Sequence, residues 1–341
     1  MKAFSKIKIT VGLVTYNRPE MLKEAVHSVL QQSFPNFELL ISNDYLGSTV
    51  SFESMGIKYD SRIKIINQKS NLGEIRNLNY LLEIAQGDWF VWLADDDLFH
   101  SEFLMLANNA IHKSENVNMV GFFSNYISAT NPDGLFPKSL KSNECIRFDD
   151  SDFLLNYTAR NTALIGCYGV MRTDVLRKVG GLPQLGNSFG PYSDTLIPIL
   201  LIQHGDLCWI DEKLIFLRTH AESQSCMSTE FSAYTSAEIE FIDQLKRVCG
   251  KAHLNINLNK FVSNMVIWFS ENEWAVLNRN PLLTKLAVFK EFINYQININ
   301  IPRLSLKYTI VHGIFIVHFL FKHFIFNFYR LILRVIKSRL W

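Results

Sequence analysis

Residues 92–100 read WLADDDLFH, an apolar run that ends in Asp95, Asp96 and Asp97. Three adjacent carboxylates repel one another wherever water does not separate them, so the chain must supply or recruit positive charge there. One reading is a solvated loop in which an Asp caps the next helix. The other is a divalent-cation site, in which hard carboxylate oxygens bind Mg2+ or Mn2+ and leave coordination positions open for phosphate oxygens. In an extended segment side chains alternate, so Asp95 and Asp97 are expected on one side and Asp96 on the other. Further residues of this kind are Tyr16, Asn17 and Arg18, the Asn43–Asp44 pair, Asp194 after a Gly-rich loop, and Arg218 and His220 in LRTHAESQS.

Positioning these groups requires a scaffold, and the pattern of residues 8–93 supplies one. Short β-branched runs at 8–16, 37–42, 62–66 and 88–94 alternate with helical periodicity after Pro19 and from about Gly73 to Ala85. Such alternation predicts an α/β architecture with a mainly parallel, Rossmann-like central sheet flanked by helices. Ligands of such sheets bind beyond the carboxyl ends of the strands. Tyr16–Arg18, Asp44 and Asp95–Asp97 all follow strands directly, so they are expected at one edge. Beyond residue 100 the pattern predicts a helix at 101–113, strands at 118–128, 164–172 and 207–220, and a helix at 193–205. Residues 229–297 read as helices.

The ordered segments VGLVTYNRPEMLKEAVHSVLQQSFPNFELLISND and NLGEIRNLNYLLEIAQGDWFVWLADDD resemble the nucleotide-binding half of an inverting, family 2 glycosyltransferase of GT-A fold. The likeness covers roughly residues 8–220 and rests on several motifs in order. It implies a catalytic domain over 1–225, with a nucleotide-sugar half at about 1–100 and an acceptor half at about 101–225. A helical region at 226–300 and a basic apolar tail at 301–341 would follow as a C-terminal helical extension. Residue by residue, the resemblance places Thr15, Tyr16, Asn17 and Arg18 at the nucleotide and Asp44 at its base. Here Asp44 continues as NDYLGST, a departure from the family pattern that leaves the base open, with a UDP-sugar as the expected donor. Asn71, Gly73 and Arg76 match the N-x-G…R segment lining the nucleotide-sugar site, and Gly87–Asp88 the turn before the acidic strand. Arg76 has a guanidinium suited to a phosphate or to an Asp of the triplet.

By the same resemblance Asp95 and Asp97 form the D-x-D pair, with Asp96 able to share its work. Asp97, Asp95 and His220 are the expected ligands of Mn2+ or Mg2+, and Arg218 neutralises the diphosphate. Asp194 is the expected general base; as a bare residue it also reads as a helix N-terminal acid favoured by the dipole. The implied reaction moves a sugar, with inversion, from a nucleotide-diphosphate donor to a saccharide or lipid-linked saccharide in surface polysaccharide or lipopolysaccharide assembly. Its rivals are an inactive GT-A-fold protein that binds sugar or membrane, and a nucleotidyltransferase, which would show a Gly-rich basic phosphate loop near the first strand. A Rossmann oxidoreductase is set aside, because TYNRPE stands where G-x-G-x-x-G would be required.

Charge is divided unevenly along the 341 residues, although the total is only +2. Residues 302–341 hold seven Lys/Arg and no Asp or Glu, while the other 301 carry 27 basic and 32 acidic side chains. Because the body is acidic and the tail's basic residues are interleaved with Phe and aliphatics, nucleic acid is not an expected partner. Lys322, His323 and Arg330 interrupt the tail before it reaches the ~20 apolar residues a span needs. We read it as an interfacial helix or helical hairpin, against a single span through 308–329 or a helix packed on the body. That reading places the protein in the cytoplasm, peripherally bound to the inner face of a membrane. Five scattered cysteines without metal-type spacing fit reduced packing residues, and the start lacks the pattern of a signal peptide.

Overall fold

The computed structural model describes residues 8–251 except 115–116, 142–143, 159–160, 187–189, 222 and 224–229, together with residues 265, 269, 272, 275 and 276. The chain divides into two compact units, one of residues 1–228 and 232–255, the other of 229–231 and 256–341. Most of the second unit, including the whole tail at 301–341, lies outside the described residues. Among the described residues no helix is long and apolar enough to cross a membrane.

The first unit begins with β1 (Ile9–Thr15), α1 (Pro19–Leu30), β2 (Phe37–Asn43), β3 (Ile63–Asn67), α2 (Glu74–Ile84) and β4 (Trp89–Ala94). Pro19 opens α1 at a position where its missing N–H costs nothing. Strands β3, β2, β1 and β4 lie side by side and all parallel. A strand buried on both faces needs apolar residues at successive positions, and Ile9, Val11 and Leu13 are fully buried. They share a core cluster with Val26 of α1 and Phe103 of α3 (Phe103–Lys113). On the other face Trp92 is buried and its indole N–H donates to the Leu78 carbonyl of α2 at 2.9 Å. Helices thus cover both faces.

Next come β5 (Leu98–Phe99), β6 (Met119–Ala129), β7 (Ile146–Phe148), α4 (Asp150–Thr158), β8 (Val170–Arg172) and α5 (Thr173–Val179). α6 (Ser193–Leu201), β9 (Asp206–Arg218) and α7 (Phe231–Lys251) complete the order. These strands extend the sheet in the order β3-β2-β1-β4-β8-β6-β9-β5, with β7 also on β9. The sheet is mixed: β8 runs antiparallel to β4 and β6, while β6 and β9 are parallel.

The strand expected at 164–172 is instead a 3-10 turn at Gly166–Tyr168 followed by the three residues of β8. Here the chain is packed against the start of α6 so closely that only glycine fits: a Cβ on Gly166 would come within 1.7 Å of the Asp194 carbonyl oxygen. The chain bends there to pass beneath the start of α6. The helix expected at 193–205 ends as an α-helix at Leu201 and tightens into a 3-10 turn at Ile202–His204.

Candidate nucleotide-sugar site

Parallel register brings the polar strand ends together. Thr15 pairs with Asn43 and Val14 with Ala94, so β1, β2 and β4 stop at a common edge. Antiparallel pairing of Leu98 with Phe216 carries the end of β9, with Arg218, to the same place.

At this edge the acid triplet does not continue as an extended strand. Asp95 and Asp96 form a turn, with the Asp97 N–H pointing back to the Ala94 carbonyl at 3.4 Å. The expected alternation of side chains is therefore replaced by three separate environments. Asp95 is buried and turned towards β1: it accepts from the Thr15 hydroxyl at 2.7 Å and the Tyr16 N–H at 3.2 Å. Asp97 is turned into the scaffold, where it accepts from the Arg218 N–H at 2.8 Å and from the Tyr168 hydroxyl. Asp96 lies at the cleft, with His220 Nε2 at 2.9 Å from its Oδ2. Sequence reasoning paired Asp97 with Asp95 and His220 as ligands; the turn makes Asp96 the neighbour of His220.

The positive charge the triplet meets comes first from the chain itself. Arg18 Nη1 lies 3.1 Å from Asp95 Oδ1 and 3.0 Å from Asp96 Oδ2, bridging the two acids. Arg218 Nε donates to the Asp96 carbonyl at 3.0 Å, and its Nη2 pairs with Glu24 of α1. Arg76, offered by sequence reasoning to a phosphate or to the triplet, is exposed on the first turn of α2 and forms no ion pair among the described residues, so it does not partner the triplet here. Even with these partners, burial raises the Asp95 carboxyl above its ordinary range. Burial and the adjacent Asp96 charge push Asp97 up to about 7.

Beside the triplet the residues expected at the nucleotide base take distinct positions. Tyr16 is 53% exposed and meets Tyr45 edge to face, ring centres 5.3 Å apart, forming an aromatic surface at the end of β1 and β2. Asn17 turns the chain with a φ of 57°. Asp44 is buried and both its oxygens accept backbone N–H groups, from Leu72 at 2.8 Å and Gly73 at 2.9 Å. It thus fixes the loop before α2, and the Asn71 side chain adds a bond to the Gly73 N–H at 2.8 Å. Gly73 has a φ of 78°, a conformation that costs a residue with a Cβ.

Asp194 stands in the first turn of α6. The preceding Tyr192 holds a φ of 67°, and the Ser193 hydroxyl donates to the Pro183 carbonyl at 2.5 Å. Burial raises the Asp194 carboxyl above its ordinary range, opposed by bonds from the first turn of its own helix.

Asp194 and the triplet are joined through Gly166, against which the Asp194 carbonyl packs, and Tyr168, whose hydroxyl donates to Asp97. Glu74, the first residue of α2, feels the charges of Asp96, Asp194 and Asp95, and Cys167 those of Asp194, Asp97 and Glu74. Glu74 reaches solvent yet has protein on most sides, as a side chain in a cleft wall does. That enclosure, with the charges of Asp96 and Asp194, pushes its carboxyl up to about 7. Sequence reasoning missed Glu74, Tyr45 and Tyr168; of these, Tyr45, next to Asp44 at the end of β2, is the one whose strand-end location was a usable signal.

Among the described residues no group of three or more His, Cys, Asp and Glu is arranged to hold a metal ion. Asp96 and His220 nevertheless offer adjoining oxygen and nitrogen donors beside the cleft. This pair fits Mn2+ or Mg2+ if diphosphate oxygens and water complete the shell.

The profile of glycosyl transferase family 2 matches residues 10–180. An uncharacterized glycosyltransferase of Rickettsia typhi is 22% identical over 273 residues, 77% of this chain and 80% of that protein. One of Haemophilus influenzae is 30% identical over 118 residues, 34% of this chain and 36% of that protein. Residues 1–349 of Staphylococcus aureus TarS superpose with a TM-score of 0.55 at 16% identity, covering 84% of this chain and 78% of that one. The same segment solved in complex with UDP-GlcNAc gives 0.55 at 17%, covering 84% and 81%. Likeness at this identity speaks to the fold, which is GT-A.

Proposed function

Because this chain belongs to glycosyl transferase family 2, we propose that it transfers a sugar, with inversion, from a nucleotide-diphosphate donor to a hydroxyl of a saccharide or lipid-linked saccharide. UDP is the first base to test, since the fold neighbour TarS was solved with UDP-GlcNAc. The observation that supports the reading is that the start of the Asp194 helix packs on Gly166, two residues before Tyr168, whose hydroxyl donates to Asp97 of the triplet.

The roles follow from where charge develops. As the sugar leaves its diphosphate, negative charge grows on the leaving oxygens and positive charge on the sugar ring. Asp194 takes the proton of the attacking hydroxyl on the face opposite the leaving group, which gives inversion in one displacement. Arg18, already between Asp95 and Asp96, keeps the acids from repelling the diphosphate, and Tyr16 presents its ring to the base. A divalent cation, when held by Asp96 and His220, supplies the positive charge that offsets the charge of the leaving diphosphate. Arg218 is fastened to Asp96, Asp97 and Glu24, so its work is to hold the triplet's turn.

The test is release of nucleoside diphosphate by purified protein in detergent from UDP-, GDP- and dTDP-sugars, with and without Mn2+ and with an acceptor-bearing membrane extract. Metal-dependent release from one donor is expected; none from any donor would overturn the reading. We also propose that the 301–341 tail holds the enzyme on the cytoplasmic face of a membrane, supported by its seven basic residues among Phe, Ile and Leu. Flotation of the full-length chain with anionic liposomes is expected, and recovery in the supernatant would refute it. A role in surface polysaccharide or lipopolysaccharide assembly is the matching proposal for the pathway.

A further inference from the structure

Side-chain contacts fasten α2 to the loop before α6. Asn79 exchanges two bonds with the Leu182 backbone, donating through Nδ2 to its carbonyl at 2.8 Å and accepting its N–H through Oδ1 at 2.8 Å. Higher on the same helix, Ile75 packs so closely on Gly190 that a Cβ there would lie 2.8 Å from Ile75 Cγ1. These ties fasten the Gly-rich loop before α6 to the first turns of α2. They bring the start of α2, and with it Glu74, to the turn that carries Asp194, because Gly190, in contact with Ile75, also lies against the Ser193 hydroxyl. The Glu74 carboxyl reaches solvent and takes no hydrogen bond among the described residues.

Its place relative to the substrate follows from the proposed function, on which this inference rests. With the base at Tyr16 and the diphosphate at Asp96, a sugar awaiting attack from the Asp194 side must lie between Asp96 and Asp194. Glu74 opens the helix held at that place, and its carboxyl feels the charges of both. We infer that Glu74 is a specificity-determining residue, whose carboxyl hydrogen-bonds a hydroxyl of the sugar being transferred. A carboxyl that meets a sugar hydroxyl discriminates well, because a donor lacking that hydroxyl leaves it unpaired.

An acid in the first turn of a helix also stabilises the helix through its dipole, so the test must separate the two roles. Calorimetric titrations in Mn2+ compare UDP with UDP-GlcNAc, and GDP with GDP-mannose, on the wild type and on Glu74→Gln. The glutamine keeps the shape of the side chain and removes its charge. Expected is a donor sugar nucleotide bound about tenfold or more weakly, as for a lost hydrogen bond to a charged group. The free nucleoside diphosphate should bind as well as before or more tightly, since a nearby negative charge is gone. Equal changes for both ligands, or none, would overturn the assignment and leave Glu74 to the helix dipole. A wild type that binds neither nucleotide nor sugar nucleotide would overturn the underlying transferase reading, and this assignment with it. Deoxy analogues of the bound donor then identify the hydroxyl: the one that matters binds the wild type as weakly as the complete donor binds Glu74→Gln.

Discussion

Acids on the two walls of the cleft are held in opposite ways. On one wall, Asp95, Asp96 and Asp97 are met by Arg18, His220, the Thr15 and Tyr168 hydroxyls and the N–H groups of Tyr16 and Arg218. On the other, Asp194 meets only the first turn of its own helix, including the Thr195 hydroxyl at 3.4 Å, and no salt bridge reaches Asp194 or Glu74 among the described residues. A wall whose charges are already compensated keeps its shape before any ligand arrives. A wall of uncompensated carboxyls has its hydrogen-bonding capacity left for substrate hydroxyls and their protons. The comparison separates residues that hold the site from residues that act on what enters it.

The sharpest break would come at Asp194. Asp194→Asn keeps the size of the side chain and removes its basicity, so turnover should fall by about 10²–10⁴, the usual contribution of a general base. Sugar-nucleotide affinity should stay within a few-fold of wild type, because the partners of the triplet are untouched. Near-normal turnover would transfer the role of base elsewhere, with Glu74 the next carboxyl in the cleft.

On the compensated wall the main effect should be on stability. Arg18→Ala leaves Asp95, only 3% exposed, without its cation, and loss of about 1–3 kcal/mol is expected for breaking a charged hydrogen bond of this kind. Urea unfolding measures it. The comparison adds a sign: Mn2+ should raise the midpoint of Arg18→Ala more than that of the wild type, since Arg18 and a cation answer the same acids. Equal increments would mean that Arg18 and the metal do not share Asp96. Tyr168→Phe, which removes one donor from buried Asp97, should cost about 1–2 kcal/mol and leave the Mn2+ increment unchanged.

How much of this was legible in the sequence differs along the chain. The parallel half could be read because strands buried on both faces appear as continuous apolar runs, punctuated by Pro19, Gly73 and Gly87. Strand ends then located Tyr16–Arg18, Asp44 and the triplet without any structure. The second half was read less well. β7, α4 and α5 are short, and the stretch at 164–172 is bent where it packs against Asp194, a contact between residues distant in sequence. Within the site, the period of an extended strand misdirected the triplet, because the turn at Asp95–Asp96 depends on Arg218 of β9 as much as on the acids themselves. Glu74 escaped for a different reason: an acid in the first turn of a helix is so common that its type and place say nothing until Asp194 is seen beside it.

The smallest effect to be measured, and the one that joins the two walls, is the dependence of stability on pH. Asp95, Asp97, Asp194 and Glu74 all have carboxyls raised in the folded chain, the last and Asp97 to about 7. The folded state therefore holds their protons more tightly than the unfolded state does. Their contribution is present in full below their unfolded values and is lost as pH rises through the folded ones, so the melting temperature should fall between about pH 4 and about pH 8. Asp60 and Asp174, lowered by Arg62 and Arg172, act in the opposite sense but titrate below this window. Glu74→Gln, which never ionises, should flatten the fall, by less than complete burial would predict because the side chain reaches water. Mn2+ with UDP should flatten it further on the triplet's wall alone. If Glu74→Gln leaves the slope unchanged while Mn2+ with UDP removes it, the strain lies wholly with Asp95 and Asp97, and the second wall is less crowded with charge than its geometry implies.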